Sequence, residues 1–76
     1  MAGEKDLTQL TVGERAAIAR INAPNSGILK KLMALGVLPG MRVCLVQKFP
    51  SYVIKVGNTQ IAADETIAKS IIVIKE

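Results

Sequence analysis

The sequence predicts a mainly β domain: a small, partly open barrel of about five strands, with one short helix after the first strand and a helical turn before the last. Its 76 residues suffice for one thin hydrophobic core, so we expect a single domain. Half of the residues are apolar, but only Phe49 and Tyr52 are aromatic, so the core must be largely aliphatic. Short segments of alternating apolar and polar residues recur between turn residues, which is typical of small β domains.

The beginning of the chain predicts a flexible segment followed by the first strand. Residues 1–6 include three charged side chains and are expected to be flexible, whereas residues 7–76 form the domain. The first strand is expected around residues 15–21. Its apolar residues depart from strict alternation, which predicts a β-bulge near Ala19 or Arg20.

A short helix is predicted after this strand. Asn25 or Ser26 can cap its N-terminus, and Gly36 is a natural left-handed stop at its C-terminus. The apolar residues at helical spacing are Ile28, Leu29, Leu32, Met33 and Leu35. Because a helix of about ten residues is too short to be stable alone, we expect it to pack against the sheet through this stripe.

The second half of the chain predicts four further strands. Apolar periodicity and β-branched residues place them around residues 41–45, 52–56, 59–63 and 71–74. Gly57 and Asn58 fit a tight hairpin turn. Asp64 is expected to cap a helical turn that ends near Ser70, just before the last strand.

The order of these elements favours a barrel of the SH3-like type. A five-stranded OB-like barrel is the structural alternative. Barrels of that type usually carry their helix between the third and fourth strands, whereas this sequence places it after the first. The position of the helix therefore favours the SH3-like barrel.

The charge distribution predicts a basic middle of the domain. The net charge is +4, and no acidic residue occurs between Glu14 and Asp64. The basic residues of this stretch are Arg15, Arg20, Lys30, Lys31, Arg42, Lys48 and Lys55. A solvated surface explains this distribution, and so does a positive face that binds an acidic protein, phosphate groups or an anionic membrane surface.

The residue types argue against catalysis and against a resident metal. The chain has no histidine. Asp64 and Glu65 are explained by helix capping, and nothing beyond Arg42 would activate Cys44 as a nucleophile. A ferrous ion would use His, Cys or clustered carboxylates, and no phosphate-binding loop occurs. We therefore expect no enzyme activity, no cofactor, and no catalytic, cofactor-binding or metal-binding residues.

Cysteine content and hydropathy predict a cytoplasmic protein. A single cysteine, Cys44, cannot form an intramolecular disulfide, whereas small secreted domains usually need several. The first residues lack the continuous apolar stretch of a signal peptide. No apolar run approaches the ~20 residues that span a bilayer, so work at a membrane would require recruitment.

The segment LKKLMALGVLPG, residues 29–40, combines a basic amphipathic helix with Leu-Gly, an apolar pair and a Pro-Gly turn. This order of features resembles the signature of the FeoA family of ferrous iron uptake proteins. Residues 7–10 and 13–16 resemble the start of the family, and residues 61–62 and 71–73 with Ala68 resemble its end. The resemblance covers nearly the whole chain.

The resemblance implies an SH3-like fold and a cytoplasmic accessory protein of bacterial ferrous iron uptake. Its partner would be FeoB, a membrane transporter with a cytoplasmic GTPase domain. Two features depart from the family. Ala63 and Asp64 stand where many members have a leucine and a basic residue, and the loop at Pro50 and Ser51 is shorter. A contact made by that basic residue is therefore in doubt for this chain.

The partner-binding surface is predicted on the helix and its exit. Its residues are Lys30, Lys31, Met33, Val37 and Leu38. Leu29, Leu32 and Leu35 are expected in the core instead. If Ile71 and Val73 face inward, Ile72 and Ile74 face outward, which predicts self-association into a homo-oligomer, or partner pairing along a sheet edge.

RNA binding is the functional alternative from another class. SH3-like and OB-like barrels with basic surfaces often bind RNA, and the basic middle of this chain fits that function. Base recognition usually adds stacking aromatic side chains, and only Phe49 and Tyr52 can supply them. Partner-protein binding is therefore favoured.

Overall fold

The computed structural model describes residues 3–75, which form one antiparallel sheet and two short α-helices. In chain order the elements are β1 (Glu4–Asp6), a 3₁₀ turn (Leu7–Gln9), β2 (Arg15–Ile21), α1 (Ser26–Ala34), β3 (Arg42–Gln47), β4 (Tyr52–Val56), β5 (Thr59–Ala63), α2 (Glu65–Ser70) and β6 (Ile71–Lys75). The sheet has six strands in the order β1-β6-β2-β3-β4-β5. The predicted mainly β fold and both helix positions are confirmed.

The strand that the sequence did not predict is β1. Glu4, Lys5 and Asp6 pair with Ile74, Val73 and Ile72 of β6. An ion pair reinforces this pairing, because Oε1 of Glu4 lies 2.9 Å from Nη2 of Arg20. The predicted flexibility of residues 1–6 is therefore wrong for Glu4–Asp6, while residues 1 and 2 lie outside the described part. This strand is formed by backbone pairing with β6. It could not be predicted from the sequence, because a segment of charged residues has no apolar pattern.

Two β-bulges curve the sheet around an aliphatic core. The register of β2 against β6 shifts between Ile18 and Arg20, which confirms the predicted bulge. A second shift, between Leu45 and Gln47 in β3, was not predicted. The core cluster consists of Leu7, Leu10, Ala16, Ile18, Leu32, Val37, Val43, Leu45, Ile54, Val56, Ile61, Ala68, Ile71 and Val73. All of these side chains are aliphatic, as the composition required.

Both helices begin at a side chain that caps them. Asn25 Oδ1 accepts a hydrogen bond of 2.9 Å from the N–H of Ile28, and Asp64 Oδ1 accepts one of 2.8 Å from the N–H of Ile67. These caps replace intrahelical partners that the first N–H groups lack. Helix α1 ends before Gly36, whose φ is +87°, so the predicted left-handed stop is confirmed.

An ion pair closes the end of the sheet where β2 begins and β6 finishes. Oε2 of Glu14 lies 2.8 Å from Nζ of Lys75, and Oε1 accepts a hydrogen bond from the N–H of Thr11. Lys75, followed by the Thr11 N–H, lowers the pKa of Glu14 from 4.5 to about 2. The carboxylate in turn raises the pKa of Lys75.

We predict that Gly36→Val destabilises the protein by about 1 kcal/mol or more, because a β-branched residue resists positive φ. Thermal unfolding would show a fall in Tm of about 4–8 °C. Ala34→Val is the matched control, since it adds the same side chain to an exposed helical position with ordinary φ. Equal losses in the two variants would contradict a left-handed stop at Gly36.

We predict that Glu14→Gln lowers the free energy of unfolding at pH 7 but not at pH 2. The pKa of Glu14 is lower in the folded state, so its charge stabilises the fold above pH 4.5 and loses this effect as the pH falls towards about 2. Urea unfolding across this range measures the effect. In the control Glu65→Gln we expect a smaller change, because that side chain is 67% exposed, against 21% for Glu14.

Candidate functional site

Exposed apolar side chains are concentrated on helix α1 and the turn that follows it. Nine large apolar residues are exposed within residues 3–75, and five of them lie between residues 29 and 41. We call this group, together with Lys30 and Lys31, the helix-exit surface. Its apolar members are Leu29, Met33, Leu35, Leu38 and Met41. Such a cluster is unusual for a small domain and marks a candidate interaction site.

Helix α1 exposes these residues because it touches the core along a narrow stripe. Leu32 is its one buried residue, and Ile28 is half-buried. Leu29 and Met33 are one helical turn apart and therefore lie on the same side of α1. Leu29 is 36% exposed and Leu35 is 40% exposed, so the prediction that both belong to the core is wrong. Nine residues of helix cannot turn every apolar side chain towards one sheet.

The turn after α1 is fixed rigidly on the sheet. The N–H of Met41 donates to the carbonyl of Leu38 over 3.1 Å, which closes the turn through Pro39 and Gly40. Two further hydrogen bonds join this turn to β2: Gly40 N–H to the carbonyl of Ile18, and Ile18 N–H to the carbonyl of Met41. Leu38 and Met41 are thus held in place while they remain exposed.

Val37 does not belong to the helix-exit surface. Its side chain is fully buried, and its N–H donates to the carbonyl of Leu32 over 2.9 Å. This hydrogen bond folds the chain back under the end of α1. The prediction that Val37 binds a partner is therefore wrong, because the residue after a left-handed helix stop re-enters the core.

Lys30 and Lys31 are exposed on α1, and Met33 and Leu38 are 51% and 38% exposed. Neither lysine forms an ion pair with an acid among residues 3–75, and α1 itself contains no acidic residue. Four of the five residues predicted for partner binding are therefore accessible at one region of the surface. The sequence analysis did not predict Met41 as a site residue, because apolar alternation alone does not show which side of a turn is exposed.

Ile72 and Ile74 point to the outer face of the sheet. Ile71 and Val73 are fully buried, whereas Ile72 is half-buried and Ile74 is 39% exposed. However, β6 lies between β1 and β2, so its backbone groups are already paired on both sides. Pairing along a sheet edge through this strand is therefore ruled out. Self-association through Ile72 and Ile74 stays a prediction, and it would require contact between sheet faces.

The two aromatic residues lie together near the β3–β4 loop. Phe49 is 87% exposed, while Tyr52 is half-buried against the core. Both line a depression of about 370 Å³. Asp64, Glu65 and Lys48 line the same depression. The two carboxylates outnumber the single lysine and would repel the phosphate backbone of a nucleic acid, which weakens the case for stacked RNA bases at this position.

Metal ligands are not clustered in the described part of the chain. Within residues 3–75, no group of three or more His, Cys, Asp or Glu residues could hold a metal ion. Cys44 is a free, half-buried cysteine in β3. In the same range, no helix has the length and apolar character needed to cross a membrane.

Comparison with known proteins places the fold and the family. The model of the FeoA domain matches residues 5–75. A structure of an iron uptake regulatory protein, FeoA, superimposes with a TM-score of 0.85 at 20% identity, covering 97% of this chain and 99% of that one. A structure of FeoA from Stenotrophomonas maltophilia, an SH3 domain protein complexed with zinc, superimposes with a TM-score of 0.81 at 27% identity. The match covers 91% of this chain and 88% of that one. A search of curated sequences found no match.

The same fold also forms part of a larger protein. IdeR of T. acidophilum superimposes with a TM-score of 0.89 at 24% identity, over 100% of this chain but 36% of that protein. This similarity shows the fold alone. The predicted SH3-like fold is confirmed, and because the family model spans nearly all of the sequence, the chain belongs to the FeoA domain family, whose members are associated with ferrous iron transport.

Proposed function

We propose that this protein is a cytoplasmic, non-catalytic accessory protein of bacterial ferrous iron uptake. It binds the cytoplasmic GTPase region of an FeoB-type transporter through the helix-exit surface. Membership of the FeoA domain family supports a role in ferrous iron uptake. The observation that carries the binding site is the concentration of exposed apolar side chains between residues 29 and 41.

The helix-exit surface has the make-up of a protein interface. Its centre is apolar and includes Met33 and Met41, whose flexible side chains adapt to a partner surface. Its backbone is held by the hydrogen bonds from Gly40 and Met41, so little order must be gained on binding. Lys30 and Lys31 provide a charged rim that water can reach.

The charge of this surface selects an acidic partner. No acid occurs between residues 14 and 64, so no carboxylate of α1 or its flanking loops offsets Lys30 and Lys31. Rim charges of this kind raise the association rate more than they raise affinity, and salt screens them over about 8 Å at physiological ionic strength. We therefore place the contact on an acidic patch of the transporter's cytoplasmic region.

RNA binding is the alternative function that the same experiments can detect. The exposed Phe49 could stack on a base, but Asp64 and Glu65 share its depression. Capture of RNA without the transporter, from a detergent extract passed over immobilised protein, would favour the RNA-binding function.

We predict that the double variant Lys30→Glu with Lys31→Glu slows association with membrane-embedded FeoB and flattens its salt dependence. Folding should be unaffected because both side chains are exposed. Surface plasmon resonance at low and high salt measures both quantities. Lys5→Glu with Lys48→Glu is the matched control: it changes the net charge equally, at exposed positions away from α1. Equal association rates for wild type and the α1 variant at low salt would exclude a role for these lysines.

We predict that Met33→Ser with Leu38→Ser weakens binding to the same transporter about tenfold or more, mainly through faster dissociation. The control Val12→Ser with Val46→Ser removes apolar side chains of matched exposure, 52% and 38%, outside the helix-exit surface. Urea midpoints of both variants should stay close to that of the wild type. If the control weakens binding as much as the α1 variant, the helix-exit surface is not the binding site.

A further inference from the structure

The outer face of the sheet brings three cationic side chains together around Cys44. Arg15 is the register partner of Cys44 across β2 and β3, and Cys44 is the register partner of Lys55 across β3 and β4. Arg42 precedes Cys44 by two residues and therefore projects from the same face. The resulting outer-face depression has a volume of about 440 Å³ and is lined by Arg15, Arg42, Val43, Cys44, Lys55 and Gly57.

The fold fixes this arrangement through the alternation of inward and outward side chains. Ala16, Val43 and Ile54 are buried in the core, so their neighbours Arg15, Cys44 and Lys55 must project outward. Adjacent strands lie about 4.8 Å apart, which places Arg15 and Lys55 about 10 Å from each other on either side of Cys44. Long cationic side chains can reach a single anion from both sides of such a gap.

Arg15 and Lys55, the two cations that flank Cys44, are not balanced by a carboxylate in the described part of the chain. None of its lining residues is acidic, and neither Arg15 nor Lys55 forms an ion pair with an acid among residues 3–75. Glu14 is next to Arg15 in the sequence, but Lys75 and the Thr11 N–H already hold its carboxylate. Arg15 and Lys55 flank Cys44 from the two strands beside β3, so an anion between them would be attracted by both charges.

The size and chemistry of the depression indicate which anion it takes. Its volume lies within the range of about 300–1,000 Å³ that small-molecule sites occupy. Guanidinium groups match the geometry of phosphate oxygens and can bind them through two hydrogen bonds, while a lysine adds a point charge. We propose that the outer-face depression binds a phosphoryl anion of the diphosphate type, carried by a soluble molecule or by a lipid headgroup. This site is independent of the helix-exit surface and of the transporter.

The test is a titration of the ¹⁵N-labelled full chain with inorganic pyrophosphate, followed by NMR. At about 0.15 M salt, where screening acts over about 8 Å, we expect saturable shifts at the amides of Arg15, Cys44 and Lys55. The Kd should be about 1 mM or tighter. Arg15→Gln and Lys55→Gln should each weaken binding about tenfold. Shifts that do not saturate, or that leave these amides unchanged, would overturn the proposal.

Two variants separate a specific site from general attraction between opposite charges. Lys30→Gln with Lys31→Gln removes two positive charges from α1 and should leave the Kd unchanged, whereas a loss equal to that of Arg15→Gln with Lys55→Gln would overturn the proposal. Cys44→Glu places a carboxylate between the two cations. It should abolish pyrophosphate binding while the urea midpoint stays the same or rises, because the new charge pairs across both neighbouring strands. Undiminished binding in Cys44→Glu would also overturn it.

Sedimentation with vesicles identifies the source of the phosphoryl group. Binding to phosphatidylglycerol vesicles but not to phosphatidylcholine vesicles, lost in Arg15→Gln with Lys55→Gln, supports a lipid headgroup. Saturable binding of pyrophosphate without any vesicle binding supports a soluble molecule. Absence of both kinds of binding overturns the site.

Discussion

The insertion of β6 between β1 and β2 is the constraint on which the rest of the structure depends. Ile71 and Val73 are fully buried, and Val73 is the register partner of Ile18 at the centre of the core. The last strand thus joins the two strands from the start of the chain, so the sheet is complete only when both ends have met. The ion pair between Glu14 and Lys75 lies at the end of this pairing, where it adds charge attraction to backbone hydrogen bonding.

All strands of the sheet pair with one another without the help of α1. The structural contribution of α1 is to cover one opening of the core. It lies between β2 and β3, which pair directly with each other. Leu32 and, beyond the helix, Val37 fill the opening. A nine-residue helix is too short to be stable in isolation. It persists here because the Asn25 cap, the Gly36 stop and the anchored turn at Gly40 fix both of its ends. The apolar side chains that do not fit beneath it remain on the surface.

The sequence predicted those features that rest on local rules. Both helices, the caps, the stop at Gly36 and the bulge after Ile18 follow from residue type and spacing, and all are present. The features it missed depend on tertiary pairing. Strand β1 exists because the outer edge of β6 offers backbone groups to a charged segment, and the interior position of β6 is a property of strand order, which alternation does not encode.

The candidate site shows the same division. Lys30, Lys31, Met33 and Leu38 were placed on the surface correctly, since a helix followed by Pro-Gly leaves them outside. Val37 was misplaced because its burial depends on how the chain returns beneath α1, and Leu29 and Leu35 because an apolar stripe can be wider than the surface it meets. The basic middle of the chain predicted a positive face, but the place of the outer-face depression could not be predicted from the sequence. Arg15, Arg42 and Lys55 are far apart in the chain and meet only through the register of three strands.

The two surfaces meet at the start of β3. Met41 belongs to the helix-exit surface and the next residue, Arg42, lines the outer-face depression. Different backbone contacts hold the two surfaces in place: the hydrogen bonds of Gly40 and Met41 fix the turn of the helix-exit surface, whereas the register of β2, β3 and β4 fixes the cations of the depression. Because no residue belongs to both surfaces, a variant in one can be used to test that surface without altering the other.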